Sequence, residues 1–172
     1  MKEYEGVCMR KPLIFGLCLM LAINFCGCSQ HMNDTENLSI WAEIYQVTLD
    51  SYLKQDTALN SKIDFIAIDL STLKFANDYD KKAIKAWFER RYVPVIDANI
   101  DGLRAGGLFD EENMYITNGV LLTINKVSEI NDEIIIEGMK YRGGEAANWF
   151  ETKWRLINGI WEFYDTVMTA IS

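Results

Sequence analysis

The chain has 172 residues, of which 49% are hydrophobic and 24% are charged, and it contains 2 prolines and 11 glycines. This composition excludes an intrinsically disordered chain and a collagen-like or Pro/Gly-rich one. The length predicts a single domain, since domains commonly have about 100–200 residues. The formal net charge of −8 indicates no nucleic-acid partner, because proteins that bind phosphate backbones need a basic surface.

The first segment of the chain has the pattern of a secretory signal. Arg10 and Lys11 precede an uninterrupted apolar run of eleven residues, Leu13–Ile23. A membrane-crossing helix needs about 20 apolar residues, so this run is short for a permanent span and fits the core of a signal peptide. Met9 is an alternative start to Met1, because it stands directly before the two basic residues.

The residues after the apolar run resemble the cleavage site of bacterial lipoproteins. Gly27 and Cys28 match the lipobox of that family, in which the signal is cut before a cysteine that then carries lipid. The resemblance implies that residues 1–27 are a signal peptide. It also implies that acyl chains such as palmitate on Cys28 anchor the mature protein to the cell membrane, facing outside the cytoplasm. An uncleaved N-terminal anchor and a cut at another position are the alternatives.

The predicted mature chain has little cysteine chemistry and a strong negative charge. Cys8, Cys18 and Cys26 precede the predicted cut, which leaves Cys28 as the lipid-bearing residue and the domain without a disulfide. Cleavage removes three basic and two acidic residues, so the net charge changes from −8 to −9. The polar residues 28–37 predict a tether, followed by one domain over residues 38–172.

Helices are expected near the start of this domain. Apolar residues at three- and four-residue spacing indicate a helix from Leu38 to Leu53, with Asn37 as its N-cap. A short helix is predicted over Asn99–Ala105, because Gly106 and the glycine after it favour a helix end.

A second long helix is expected over Asp80–Arg91, with Asp78 or Asp80 as its cap. The residues of its predicted inward stripe are Ile84, Trp87, Phe88 and Arg91. The main cluster of basic charge in the domain lies on this helix, at Lys81, Lys82, Lys85, Arg90 and Arg91. These side chains either contact an anionic partner or form an ordinary solvated face.

Strands make up most of the remaining chain. Ile63–Leu70 is rich in β-forming residues, and Tyr92–Ile96 is a short strand that Pro94 restricts to a sheet edge. Four antiparallel strands are predicted at the end of the chain: Val120–Ile130, Glu133–Arg142, Trp149–Ile157 and Ile160–Met168.

Two turns predict how these four strands pair. Asn158-Gly159 is typical of a two-residue type I′ hairpin turn. Continued along both strands without interruption, its register places Trp154 opposite Phe163, Lys153 opposite Tyr164 and Thr152 opposite Asp165. The weaker turn at Asn131-Asp132 places Lys126 opposite Glu137 and Val127 opposite Ile136. One face of the sheet is then apolar and the other charged.

The element order predicts an α+β fold: N-terminal helices packed on a curved, mainly antiparallel sheet that ends in a four-strand meander. This order and the closing hairpin, Lys153–Phe163, resemble the NTF2-like family. The resemblance covers residues 38–172, and it implies a cone-shaped sheet that closes a pocket with the helices.

The residues available for chemistry exclude several classes of site. The one histidine, His31, lies in the predicted tether, and the predicted domain contains no cysteine. The domain therefore has no Ser-His or Cys-His pair and no ordinary zinc site. The sequence has none of the common glycine-rich nucleotide motifs, so we predict no cofactor.

Asp165 is the candidate catalytic residue, because the predicted register places its carboxylate on the apolar sheet face. A carboxylate there is costly unless it is paired or its pKa rises. With Tyr141 or Tyr45 nearby, it could act as a general acid or base. The candidate pocket-lining residues are Trp154, Trp161, Phe163, Tyr141 and Thr152. The alternative is that the strand twists outward and Asp165 only hydrogen-bonds Thr152 or a backbone amide.

Asp97, Asn99 and Asp101, followed by Gly102, match the first half of a calcium-binding loop. The twelfth position of that loop is Leu108, where a bidentate glutamate is needed. The alternative role for Asp97 or Asn99 is to cap the short helix that follows.

Together these patterns predict a lipid-anchored extracytoplasmic protein that acts as a non-catalytic module. Its partners are the membrane, through Cys28, and an envelope protein or small ligand. The alternative hypothesis is a small NTF2-like pocket enzyme that uses Asp165 and a tyrosine for acid/base catalysis.

Overall fold

The computed structural model describes residues 38–172. The predicted signal peptide and tether, the lipid site at Cys28 and the alternative starts Met1 and Met9 lie outside these residues. No helix within residues 38–172 is long and apolar enough to cross a membrane.

Helix α1 spans Ile40–Lys54 and begins at a serine cap. The Ser39 hydroxyl accepts a hydrogen bond from the Trp41 amide at 3.2 Å, which satisfies one of the free N–H groups of the first turn. The predicted helix is confirmed, but the predicted cap at Asn37 is wrong. Ser39 is two residues closer to the first apolar position and supplies the same kind of acceptor.

Helix α2 spans Asp78–Glu89, and its N-cap is Asn77. The predicted caps at Asp78 and Asp80 are therefore wrong. Asp80 instead completes a capping box with Asn77 and is fully buried. Its carboxylate accepts hydrogen bonds from the Ser39 amide at 2.8 Å, the Ser39 hydroxyl at 2.6 Å and the Asn77 amide at 3.0 Å. One carboxylate thus ties the first turns of both helices together.

The inward face of α2 is narrower than predicted. Ile84 and Phe88 are fully buried, and Trp87 is half-buried. Arg91 is exposed, contrary to the prediction, because the helix ends at Glu89. Its guanidinium lies 3.8 Å from the centre of the Trp87 ring.

Two short parallel strands flank α2. Strand β1, Phe65–Ile68, and strand β2, Val95–Asp97, pair in parallel, and β2 is an edge of the sheet as predicted. Helix α3, Ile100–Ala105, follows β2, and Asn99 is its N-cap. The predicted short helix is confirmed. The remaining short elements are 3₁₀ turns at Thr57–Asn60 and Leu70–Thr72 and strands β3, Phe109–Asp110, and β4, Tyr115–Ile116.

The predicted four-strand meander is confirmed, with somewhat longer strands. Its bounds are β5, Gly119–Ile130; β6, Glu133–Gly143; β7, Ala146–Ile157; and β8, Ile160–Ile171. The order across the sheet is β2-β1-β5-β6-β7-β8, with β1 parallel to β5 and the meander antiparallel. Three helices with a curled mixed sheet, shaped as a half-barrel, make the fold α+β as predicted.

Both predicted turns are confirmed. Asn158 and Gly159 have φ values of 53° and 81°, as a type I′ turn requires. Trp154 pairs with Phe163 in the register that this turn predicts. At the other turn, Lys126 pairs with Glu137 and Val127 with Ile136, also as predicted.

Bulges change the register farther from the turns. The β7–β8 pairing skips Tyr164 and Thr169, and the β5–β6 pairing skips Asn125. Lys153 therefore pairs with Asp165, and Thr152 pairs with Thr166. The uninterrupted register predicted for this hairpin is wrong beyond Trp154. An extra residue in one strand also bends the strand and increases its twist, as a curled sheet needs.

Helix α1 covers one face of the meander, which we call the inner face. Tyr52 stacks on Phe150 with ring centroids 4.7 Å apart and donates a hydrogen bond to the Ile136 carbonyl at 3.2 Å. The opposite, outer face is covered near β1 by α3 and β3, where Leu103, Phe109 and Ile116 form a second apolar cluster.

Replacing Gly138 by alanine should destabilise this packing. A Cβ at Gly138 would lie 2.5 Å from the Tyr52 ring and 2.6 Å from the Thr123 carbonyl oxygen. We expect Gly138→Ala to lower the free energy of unfolding by about 1–3 kcal/mol, the usual cost of overpacking, as measured by urea denaturation. Gly144→Ala is the control, because its Cβ would meet its nearest atom at 3.9 Å. Equal stability of the two variants would contradict the contact with α1.

Candidate ligand-binding cleft

The inner face, where a pocket was predicted, is filled by α1. Trp154 is buried, and its Nε1 donates a hydrogen bond to the Thr48 hydroxyl at 3.1 Å. The Thr152 and Thr166 hydroxyls lie 2.8 Å apart, and Thr166 also contacts the Ser51 hydroxyl at 2.8 Å. These contacts place both Trp154 and Thr152 in the packed core beneath the helix.

The other predicted pocket-lining residues do not join them in one cavity. Trp161 is half-buried against the core, and Phe163 is 41% exposed at the edge, where it meets the Trp154 ring edge-to-face at 5.7 Å. Tyr141 lies on the outer face and donates a hydrogen bond to the Met114 carbonyl at 3.0 Å. Tyr45, named as a catalytic partner, is fully buried.

Asp165 is exposed on the outer face, so its predicted place on the apolar face opposite Thr152 is wrong. The physical reason is the bulge at Tyr164, which shifts the register by one residue and turns the next side chain to the other face. The carboxylate accepts a hydrogen bond from the Thr166 amide at 2.8 Å. Asp165 therefore satisfies a backbone donor on the edge strand β8.

The predicted calcium ligands serve separate local roles. Asp97 accepts a hydrogen bond from the Leu70 amide at 3.2 Å, and Asn99 accepts one from the Gly102 amide at 2.9 Å as the cap of α3. Asp101 is exposed and lies 3.2 Å from the Arg104 guanidinium. Within residues 38–172, no group of three or more His, Cys, Asp or Glu side chains is placed to hold a metal ion.

A cleft of about 320 Å³ lies on the meander, with its polar side chains on the outer face. We call it the outer cleft. Two of its lining residues, Asn125 and Thr169, are skipped in the strand pairing. Bulges re-aim side chains and are over-represented beside functional sites. The volume is at the lower end of the range for ligand pockets, about 300–1,000 Å³.

The indole of Trp149 is the apolar surface of the outer cleft. Trp149 is half-buried and pairs across the sheet with Met139 and Ala170. Ala170 is small, and the neighbouring Thr169 is displaced into the bulge, so β8 places no large side chain directly beside the indole. A partly exposed aromatic ring is a common stacking surface for a ligand.

Two carboxylates stand beside this indole. Glu137 and Glu151 are directly opposite each other on β6 and β7, and both line the outer cleft. Like charges in this position are destabilising. Lysines offset the repulsion: Lys126 Nζ lies 2.8 Å from Glu137, and Lys153 Nζ lies 3.3 Å from Glu151. The hydrogen bond and charge of Glu137 raise the pKa of Lys126.

The outer cleft therefore offers a flat apolar ring and several hydrogen-bonding groups. The carboxylates accept hydrogen bonds, the Asn125 amide donates and accepts, and the Thr169 hydroxyl does both. No direct signal for this site is present in the sequence. The Lys126–Glu137 pair was predicted, but the loop between β6 and β7 lacks a tight-turn pattern that would place Glu151 and Trp149 beside it.

A buried lysine, also missed from the sequence, holds the end of α1. Lys140 is fully buried, and its ammonium donates hydrogen bonds to the carbonyls of Gln55 at 2.5 Å and Asp56 at 2.9 Å, with Leu53 at 3.4 Å. It satisfies carbonyl groups that a helix end leaves free. Burial lowers the pKa of Lys140 to about 8, and the Asp56 carboxylate opposes this shift.

This shift predicts a pH-dependent stability. The pKa of Lys140 is lower in the folded protein than in the unfolded chain, so the unfolded chain binds more protons between the two values. The free energy of unfolding should rise from pH 8 to about 9.5 by on the order of 1 kcal/mol. Urea denaturation across this range measures it, with Lys140→Met as the comparison. A rise of the same size in the variant would contradict the assignment to Lys140.

Comparison with protein-family models, curated proteins and solved structures found no match to the chain. The resemblances to bacterial lipoproteins and to the NTF2-like family therefore stay predictions from the sequence.

Proposed function

We propose that the chain is a membrane-anchored extracytoplasmic lipoprotein whose domain binds a small, hydroxyl-rich ligand of the saccharide class in the outer cleft. The anchor is supported by the basic pair at Arg10, the apolar run Leu13–Ile23 and the lipobox-like Gly27-Cys28. The binding role is supported by the outer cleft itself.

The observation that carries the binding role is the grouping of Trp149, Glu137 and Glu151 between two bulged residues. The fold gains nothing evident from opposing carboxylates at the middle of a sheet, where alternating charges would be more stable. A half-buried indole next to them leaves an aromatic ring partly in solvent. Both features suit a ligand that packs one of its faces on the Trp149 indole. The edge of such a ligand can donate hydrogen bonds to the two carboxylates.

A saccharide fits this chemistry better than a cation. Lys126 and Lys153 already offset the charges of the two glutamates, so no further positive charge is needed. Each carboxylate has about four lone-pair sites, and one lysine leaves most of them free. Sugar hydroxyls donate to such oxygens in charge-assisted hydrogen bonds, and the C–H face of a sugar ring packs on an indole.

The alternative hypothesis, an enzyme with Asp165 and a tyrosine, has no supporting geometry. Asp165 faces solvent, Tyr45 is enclosed in the core and the Tyr141 hydroxyl is engaged by Met114. We therefore place the functional surface on the outer face rather than beneath α1.

The anchor is tested by Cys28→Ser in the full-length chain. We expect the natural protein to incorporate labelled palmitate and to fractionate with membranes. The variant should do neither, because it lacks the thiol that accepts the lipid. Cys26→Ser is the matched control, since Cys26 lies before the predicted cut, and it should still be labelled. Equal labelling of the Cys28 variant would contradict the anchor.

Ligand binding is tested by calorimetry with cellobiose, lactose and N,N′-diacetylchitobiose. We expect at least one to bind with a Kd below about 1 mM. Trp149→Ala should weaken that binding about tenfold, since aromatic packing is worth about 0.5–1.5 kcal/mol beyond burial. Trp87→Ala removes a half-buried indole from α2 and should leave the Kd unchanged. Absence of binding by all three sugars, or an unchanged Kd in Trp149→Ala, would contradict the proposed ligand class.

A further inference from the structure

Six of the exposed large apolar side chains lie at one end of the domain. Three isoleucines flank the two hairpin turns, and Ile160 and Ile130 are 65% and 57% exposed. Three more apolar side chains surround the first turns of the helices, and Phe75 is 52% exposed. We call these residues the apolar end: Leu38, Ile40, Phe75, Ile130, Ile157 and Ile160.

The contacts of α1 place both groups at the same end of the sheet. Trp154, four residues before the Asn158-Gly159 turn, bonds Thr48 in the middle of α1. Lys140, near the opposite end of β6, bonds the last carbonyls of the helix. Helix α1 therefore runs away from the turns, and its first residues lie on their side. From Thr48 the helix extends about 12 Å back to Ile40, and from Trp154 the strand extends about 13 Å to the turn.

Further contacts hold each group of the apolar end in place. The Leu156 amide donates a hydrogen bond to the Asp132 carbonyl at 2.8 Å, which holds the two turns together. Phe75 borders a groove with Ile124 and Val127 of β5, the strand that leads into the first of these turns. The Phe75 ring also stacks on Trp41 at 4.5 Å.

The chain enters the described domain at this end, through Leu38. Ten residues, the number from Cys28 to Asn37, reach at most about 35 Å. A lipid on Cys28 would therefore keep Leu38 within reach of the bilayer. No other part of the described chain is closer in sequence to the anchor.

Charge complements the apolar contacts only weakly. Lys74 is exposed beside Phe75, and Lys82 lies 5.9 Å from the centre of the Tyr79 ring. The exposed acids Glu43 and Asp78 lie in the first turns of the same helices. The main attraction would thus come from burial of apolar and aromatic side chains at the level of the lipid headgroups.

We propose that the apolar end rests in the surface of the membrane that carries the lipid anchor. This inference rests on the anchor proposed above. It fixes the orientation of the domain: the helix N-termini and the two turns face the bilayer. The outer cleft then lies along the side of the domain, where a ligand in the surrounding space reaches it.

The test is quenching of Trp41 fluorescence by lipids with brominated acyl chains, in phosphatidylethanolamine/phosphatidylglycerol vesicles that carry the mature protein. We expect quenching that is clearly reduced in Trp41→Phe, because Trp41 lies directly behind Phe75. The remaining quenching should come from Trp161, which follows Ile160 at the same end. Trp149→Phe should keep the quenching, since Trp149 is on the outer face. Phe75→Ser should reduce the quenching, and a circular dichroism spectrum like that of the natural protein would show that the fold is retained.

A Cys28→Ser chain added to the same vesicles separates the two proposals, with the lipid on each chain read by mass spectrometry. Quenching of Trp41 in either chain supports the apolar end as a membrane surface. Absence of Trp41 quenching in both chains overturns the proposal that the apolar end contacts the membrane. If the natural chain is nevertheless lipidated and floats with the vesicles, the lipid anchor is still supported. An unlipidated natural chain contradicts the anchor, while Trp41 quenching still decides the orientation.

Discussion

The packing of α1 on the inner face of the curled sheet is the contact on which the rest of the structure depends. The helix buries Tyr45, Leu49 and Tyr52 against the strands, within the larger of the two apolar clusters of the described residues. Burial of each large side chain contributes about 1.5–3 kcal/mol. Polar contacts then fix its position: Asp80 holds its first turn and Lys140 its last carbonyls. A sheet that is filled in this way leaves its outer face and its ends open to a ligand.

Bulges connect this packing to the outer cleft. The strand pairing skips Asn125, Tyr164 and Thr169, and each extra residue bends the meander further around α1. The same irregularities leave Asn125 and Thr169 unpaired beside Trp149. The Tyr164 bulge turns Asp165 to the edge, where its carboxylate satisfies the Thr166 amide. The curvature of the sheet, the outer cleft and the position of Asp165 on the edge strand thus have one physical source, the extra residue at each bulge. A flat meander would have none of these features.

The sequence predicted the regular parts of this fold and missed its irregular parts. Asn158-Gly159 predicted a turn type and the register next to it, because positive φ at two consecutive positions needs such residues. A bulge has no comparable signature, so the position of Asp165 was wrong. The outer cleft requires four strands in register, but the loop before β7 gives no pairing signal. Lys140 alternates with apolar neighbours along β6, and only the tertiary contact with α1 identifies its role.

The central claim is that the protein binds its ligand at the outer cleft and not beneath α1. Indole N–H signals in a ¹H–¹⁵N NMR spectrum test it directly, because Trp149 and Trp154 report the two sides of one strand. During titration with the tightest-binding of the three disaccharides, we predict that the Trp149 indole signal shifts and that the Trp154 signal stays in place. A shift of Trp154 together with Thr48, while Trp149 is unmoved, would place the ligand beneath α1 instead.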